Sequence, residues 1–360
     1  MNNIISKIKA SIKNEGFNSI FIKLFRRFRS FYFKLIYKRP TKRGWGKLKN
    51  NYEGKTVYLI GNGPSLNKTP LFLLKNEYTM VFNRFSLMLD RLNWSPSFYS
   101  TTDDLVLENI IDEAIDLSKI AKYSFFPDIS FRGKVFFKKF PKKDNILWVN
   151  QRPKLGFSTK LPDVFLGGTT IYEGIQILKY LGFNKIILVG VDMSYKIHTT
   201  AKKISEYGSE IISSKDDDPN HFDPRYFGEG KKYHQPEEYI INNIFNSLKF
   251  LSEYVNKCKD FEILNASIES KLDYFKKIDL ELELGFSDYE KEKMFEDLLR
   301  DKNAGSTGTF PLVTIRKVEN YLELNKFRIK LKEALKLIPK LTNKYTIMGP
   351  FKNEIYFLKH

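Results

Sequence analysis

The sequence predicts an α/β fold: a doubly wound, mostly parallel, Rossmann-like sheet with a helical C-terminal appendage. Three observations predict it. Short apolar runs of strand length recur through the middle of the chain, helical patterns lie between several of them, and the first run ends on the glycine turn Gly61-Asn62-Gly63-Pro64-Ser65. Strands that alternate with helices need crossovers, and crossovers make a parallel sheet covered on both faces.

The elements follow in order. Residues 1–50 form a basic arm and linker. Fourteen Lys and Arg precede Asn50, from Lys7, Lys9 and Lys13 to Lys49, and are opposed only by Glu15. Of the +18 formal charge, +13 therefore sits at this end, and the remaining 310 residues are near neutral. Within the arm, Phe21, Leu24, Phe25, Phe28, Phe31, Tyr32 and Leu35 recur at helical spacing, with Lys23, Arg27, Ser30 and Lys34 on another side. Such a helix suits the surface of an anionic membrane; the same pattern also fits an amphipathic helix packed on its own domain. No nucleic-acid reading module accompanies the charge, so no nucleic-acid partner is expected. No run nears the ~18 apolar residues of a membrane span. One cysteine, Cys258, leaves no internal disulfide framework. With no secretory leader pattern, the expectation is a cytoplasmic protein, peripheral on the inner face of the cell membrane.

Residues 51–275 read as the α/β domain. Strands are expected at Thr56–Ile60, Tyr78–Phe82, Phe98–Ser100, Tyr123–Phe126, Ile146–Val149, Ile186–Val191 and Phe261–Leu264. Helices are expected at Leu105–Ser118, Thr170–Leu181 and Glu238–Cys258. Residues 198–235 are polar, with few apolar anchors, and read as a functional lid. Residues 276–360 read as mostly helical from Phe286 to Lys340, with a break at Asn303–Gly308.

Four places carry chemistry. The turn Gly61–Ser65 follows the first strand, where glycines let amides approach a phosphate and a helix start adds positive potential; a purely structural tight turn is the alternative. Gly167-Gly168-Thr169-Thr170 opens a helix and offers either an N-cap or amides and hydroxyls for an anion. Asp192 closes a strand and reads first as a backbone cap, while Tyr195 just beyond it offers a hydroxyl to a departing phosphate. His221 and His234 are two of only four histidines, and imidazole is suited to removing a proton from a hydroxyl. Asp103 and Asp104 are adjacent in an extended segment, so they point to opposite faces and do not make a two-carboxylate metal grip. No metal site is assigned.

Together, Gly61–Leu66, Phe82-Asn83-Arg84-Phe85, Thr169-Thr170 before Leu181-Gly182-Phe183, and Gly190-Val191-Asp192 resemble the bacterial family-42 sialyltransferases. They also resemble the 6-hydroxymethylpterin diphosphokinase-like proteins of surface-glycan and flagellin-glycosylation loci. The resemblance spans roughly residues 56–267. It implies inverting transfer of sialic acid, a related nonulosonic acid or Kdo from a CMP-sugar to a surface-glycan or glycolipid acceptor, with no cofactor and no required metal. It implies that the glycine turn faces the donor phosphate, that Asn83 meets the cytidine with Ser100 where a second asparagine stands, and that Thr169 and Thr170 hold the donor sugar. Tyr195 lies one position beyond a tyrosine that supports the leaving group; Tyr226 or Tyr233 stands in for a second. His234 matches the general base and His221 an earlier lid histidine. The alternatives are an ATP-dependent pyrophosphotransferase of the diphosphokinase type and a non-catalytic peripheral membrane protein. Acceptor, linkage and any oligomer are left open.

Overall fold

The computed structural model describes residues 18–204, 210–235, 237–315, 318 and 324–360. Lys7, Lys9, Lys13 and Glu15 of the basic arm lie outside the described residues. Helix α1 (Asn18–Ile36) comes first. The sheet then begins with β1 (Thr56–Ile60), β2 (Thr79–Phe82) and β3 (Phe98–Ser100), followed by helices α2 (Asp104–Asn109) and α3 (Ile111–Ile120). Strands β4 (Tyr123–Pro127), β5 (Ile146–Arg152) and β6 (Asp163–Phe165), helix α4 (Thr170–Leu181) and strand β7 (Lys185–Val189) complete the half that sets the site. The single helix expected over Leu105–Ser118 is two, broken at Ile110.

The expected lid is not an open loop. It carries a small antiparallel sheet of β8 (Lys202–Lys203), β9 (Glu210–Ile212) and β10 (Lys232–His234). Phe222 and Tyr226, each 1% exposed, plug it into the core beside Leu66 and Met88. Helix α5 (Glu238–Val255) and strands β11 (Glu262–Asn265) and β12 (Lys276–Lys277) close the main sheet. Its order is β12-β11-β7-β1-β2-β3-β4-β5-β6, and every pairing is parallel.

Period-two alternation builds both faces of this sheet. Val57 and Leu59 join one core with α4 and α5, whereas Tyr58 and Ile60 join the other with α2 and α3. Strand order runs one way from β1 to β6 and the other way from β1 to β7, so β1 and β7 flank the switch point. Ligands of open α/β sheets bind in the crevice at such a point, beyond the carboxyl ends of the strands.

The C-terminal region corrects the expectation of a helical appendage. After α6 (Leu280–Leu284) and α7 (Asp288–Asp301), strand β13 (Lys326–Lys330), helix α8 (Leu331–Leu341), β14 (Tyr345–Phe351) and β15 (Glu354–Lys359) form a three-stranded antiparallel sheet in the order β13-β15-β14. The physical reason is alternation in short runs: Phe327 and Ile329, Tyr345 and Ile347, and Ile355 and Phe357 all point into one core with Leu337 and Ile338 of α8. A second cluster, Phe295, Met348 and Phe351 on Phe72, packs this region against the turn Leu71–Leu74 of the main domain.

Candidate functional site

Two adjoining cavities lie at the carboxyl edge of the sheet. The smaller, about 130 Å³, is walled by Gly61, Asn62, Gly63, Asp192 and His221 among others. The larger, about 660 Å³, takes in Asp103, Asp104, Arg132, Gln151, Glu173 and His234. Asn83, Thr169, Thr170, Tyr195, Asn220 and His221 border both. The fold thus brings together Gly61, Asn62, Gly63, Asn83, Gly168, Thr169, Thr170, Asp192, Tyr195, His221 and His234 from segments spread over nearly half of the chain.

The glycine turn is built differently from the amide cradle its sequence suggests. Gly61 donates its N–H to the Val189 carbonyl at 2.7 Å and Gly63 to the Gly190 carbonyl at 2.9 Å. The Ser65 amide donates to Asp192 Oδ2 at 2.8 Å, and the Ser65 hydroxyl donates to Asp192 Oδ1. A side chain at Gly63 would place its Cβ 2.4 Å from the Asp192 carboxylate. These glycines therefore let β1 and the end of β7 approach closely, and their amides are spent inside the protein. Pro64 opens a five-residue 3-10 turn rather than a full helix and does not wall the cavities. Asp192 is a backbone cap, as its bland reading had it, but its client is the Ser65 turn.

Ser100 is removed from the site altogether. It is fully buried, its hydroxyl donates to the Phe125 carbonyl of the adjacent strand at 3.0 Å, and it walls neither cavity. Asn83 stays. It adopts a left-handed φ of 50°, a conformation asparagine tolerates, immediately after β2. Its Oδ1 and the Oδ1 of Asn62 are buried atoms with no hydrogen-bond partner, while Asn62 Nδ2 donates to the Phe82 carbonyl at 3.2 Å. Buried amide oxygens are ordinarily satisfied, and both of these belong to residues that wall the smaller cavity, where a ligand could supply the donors the protein does not.

Positive potential enters from α4. Thr169 occupies its N-cap with extended backbone, yet makes no side-chain cap hydrogen bond. The first amides of this twelve-residue helix are thus left without the usual side-chain acceptor, at the wall shared by both cavities.

The two lid imidazoles are held in distinct ways. His221 Nδ1 pairs with Asp218 Oδ2 at 2.7 Å, and the ring stacks on Tyr226 with centroids 3.8 Å apart. Burial alone would raise the Asp218 carboxyl, but His221 and the amides of Asn220 and Phe227 hold it below the usual range. His234 Nε2 lies 3.0 Å from an Arg132 N–H. A guanidinium only donates, so Nε2 is the acceptor and carries no proton. Burial lowers the His234 pKa, Asp103 opposes this and Arg132 adds to it; the ring is neutral at pH 7. Arg132 also faces Asp104 at 3.3 Å. Tyr195 borders both cavities, with its hydroxyl 3.6 Å from Met193 Sδ. Tyr226 is buried behind His221, and Tyr233 bonds His198 Nδ1.

Four wall residues were given no site role from sequence, Asp103 and Asp104 because they were weighed only as metal ligands. Asp103 is the N-cap of α2, accepting from the Leu105 and Val106 amides, and Asp104 takes a hydrogen bond from Ser130 at 2.9 Å. Both border the larger cavity, although neighbours in an extended segment were expected to diverge; the cap bends the chain there. Arg132 sits in a loop with no distinguishing pattern. Glu173 did carry a signal: it is a carboxyl on the apolar face of α4, among Tyr172, Ile175 and Ile177. It is 4% exposed, meets Gln151 Nε2 at 3.3 Å, and burial pushes its pKa to about 8.

Glu173 is therefore a protonated acid at neutral pH, and the sign of its effect on folding follows. The unfolded chain loses this proton near pH 4.3 and the folded chain near 8, so stability falls as pH rises between the two and levels off above. Glu173→Gln keeps the neutral form at every pH. Thermal midpoints measured from pH 5 to 9 are expected to decline less steeply in the variant; parallel slopes would show that the wild-type carboxyl is already ionised.

Residues 33–198 match the family model described as MptE-like, 6-hydroxymethylpterin diphosphokinase MptE-like. No curated protein matches the sequence. Among solved structures, the MAf glycosyltransferase from Magnetospirillum magneticum AMB-1 aligns with a TM-score of 0.37 and 12% identity over 73% of this chain. The chain spans only 41% of that protein's length. The sialyltransferase CstII from Campylobacter jejuni, in complex with the substrate analogue CMP-3FNeuAc, aligns with a TM-score of 0.33 and 12% identity over 62% of this chain and 86% of its own. The same enzyme with cytidine-5'-monophosphate gives 0.35 and 15%, over 64% and 87%. From residue 33 to residue 198, then, this α/β chain carries the sequence pattern of the MptE-like family.

Proposed function

We propose that the chain is a glycosyltransferase that moves a nonulosonic-type sugar from a CMP donor to a hydroxyl acceptor, with inversion. The observation that carries this reading is the pair of donor-less buried oxygens, Asn62 Oδ1 and Asn83 Oδ1, beside the uncapped start of α4. Two acceptors next to a positive helix end suit a base with an exocyclic amine joined to a phosphate, and cytidine monophosphate has both. The donor's negative charge lies at Thr169 and Thr170. The acceptor hydroxyl oxygen attacks the anomeric carbon, its proton passes to His234 Nε2, and the carbon–oxygen bond to CMP breaks with its electron pair on the phosphate oxygen. Tyr195 and His221 donate to that oxygen. His234 can act only once Arg132 turns from Nε2, and an incoming phosphate or sugar carboxylate gives Arg132 its new partner.

The second reading, pyrophosphate transfer from ATP, is favoured by the family match over residues 33–198. Thermal unfolding with nucleotides separates the two. CMP at a hundred times its Kd should stabilise the protein by about 2.7 kcal/mol, with Mg-ATP giving no shift and Asn83→Ala abolishing the CMP effect. Stabilisation by Mg-ATP and not by CMP would overturn the glycosyltransferase reading in favour of its rival.

A further inference from the structure

Helix α1 is inside out. A surface helix normally buries its apolar stripe, yet here Phe28 and Phe31 are each 67% exposed and Leu35 is 73% exposed, with Phe21, Leu24 and Phe25 continuing the same stripe into solvent. The polar side is what holds the helix down. Ser30 is buried and donates to the Ser130 carbonyl at 2.7 Å, and Arg29 donates to the Arg132 carbonyl at 2.8 Å. Gly133 makes room for this contact: a Cβ there would lie 2.9 Å from both Arg29 Nε and the Ser30 amide. The helix is thus clamped in place with its aromatic face turned outward. At about 1.5 Å per residue the stripe from Phe21 to Leu35 is about 21 Å long.

Basic groups on the helix and in the segment that follows it are open to solvent. Arg27, Lys38, Lys42, Arg43, Lys47 and Lys49 are exposed. A groove of about 480 Å³ runs between α1 and the body, with Phe21, Ile22, Phe25 and Leu105 as apolar wall and Arg26, Arg29, Arg132, Lys134 and Glu210 as polar wall; Arg26 pairs with Glu210, Arg132 with Asp104 and Lys134 with Glu108. Arg29 Nε is buried with no hydrogen-bond partner, and no carboxylate among the described residues pairs with Arg29. A sheltered guanidinium without an anion, bordered by apolar rings, has the chemistry of a site for a phosphate carried on a lipid.

We propose that the outer face of α1 docks on an anionic phospholipid bilayer, and that the groove beside it takes one lipid phosphate at Arg29. Ile22, Arg26, Arg132 and Glu210 wall both this groove and the larger cavity. The docked protein therefore opens its cleft at the membrane surface, where an acceptor anchored to lipid is presented. Among the described residues no helix is long and apolar enough to cross a membrane, so the contact is interfacial.

The test is sedimentation of the full chain with vesicles, without nucleotide, so that it stands or falls apart from the donor reading. Vesicles of one-quarter phosphatidylglycerol in phosphatidylcholine should bind at least about tenfold better than phosphatidylcholine alone, and added salt should weaken the binding. The triple variant F28S/F31S/L35S should lose about tenfold or more, with an unchanged thermal midpoint because those side chains touch solvent in the wild type. Arg29→Met should narrow the preference for anionic vesicles while leaving the phosphatidylcholine background as it was. Equal binding to both vesicle types, undiminished binding by the triple variant, or a stripe whose loss changes only self-association would overturn the proposal.

Discussion

Replacing Asp223 with alanine is expected to destabilise the protein by about 3–5 kcal/mol, the cost of leaving a buried charge without its partner. Its carboxylate is fully buried and holds two guanidiniums: Arg91 at 3.1 Å, and Arg225 through Nε at 2.9 Å and a terminal nitrogen at 2.8 Å. Arg225 is partly exposed and can turn to water. Arg91 cannot, because its other terminal nitrogen donates to Asn67 Oδ1 at 2.8 Å and its guanidinium lies over the Phe222 ring. The same knot fastens the lid to the body, since Asn67 also donates to the Phe222 carbonyl at 2.8 Å. Urea unfolding should show the loss, and amides around Phe222 and Tyr226 should exchange faster than those of β1. A variant as stable as the wild type would mean that Arg91 finds another anion.

This knot also sets a pH dependence. Burial alone would raise the Asp223 carboxyl, but the hydrogen bonds and charges of Arg225 and Arg91 hold it below the ordinary range. A depressed carboxyl contributes stability that is full above the unfolded value near 3.9 and is lost as pH falls through the lower folded value. Asp218, lowered beside His221, has the same sign. Acid titration should therefore unfold the lid and its contacts below about pH 4, and Asp223→Ala should flatten part of that limb.

His234→Ala is expected to lower kcat/KM for release of CMP from CMP-sialic acid by about 10²- to 10⁴-fold, the usual weight of a general base. CMP affinity should hold within about threefold, because His234 borders the larger cavity and not the smaller one that Asn62 walls. The wild-type profile should fall on the acid side with a midpoint below the ordinary histidine value near 6.5, since burial lowers this ring and Arg132 adds to it. Arg132→Gln removes a positive neighbour, so that limb should move to higher pH. An unchanged rate for His234→Ala would take the base out of the proposed reaction, and an unmoved limb in Arg132→Gln would assign it to another group.

Much of the fold was legible in order of residues alone. The seven strand runs from Thr56 to Leu264 are apolar and short because each is buried on both faces, and that composition is local. The helix at Thr170–Leu181 was equally plain, with Gly182 ending it at a left-handed φ of 102°. The basic arm, its aromatic stripe, the glycine turn and the sparse histidines were visible too, as was the strand-to-turn order that puts ligands at one edge of the sheet. The strands of the C-terminal sheet were not: β13 is five residues of alternating Lys, Phe, Arg, Ile and Lys, too brief a pattern to stand out against helical surroundings.

Tertiary structure alone decided which of those groups are free to act. Ser65 looked like a phosphate ligand until Asp192, 127 residues away, took both its amide and its hydroxyl. The burial that raises the Glu173 carboxyl and the guanidinium on His234 likewise come from groups far apart in the chain. So does the outward turn of α1, fixed by Ser30 on Ser130 one hundred residues on. Periodicity reports which residues can be buried or strained, because those preferences are set by neighbours a few positions away. Hydrogen bonding and ionisation are set by whichever group arrives across the fold, and no local pattern encodes that arrival.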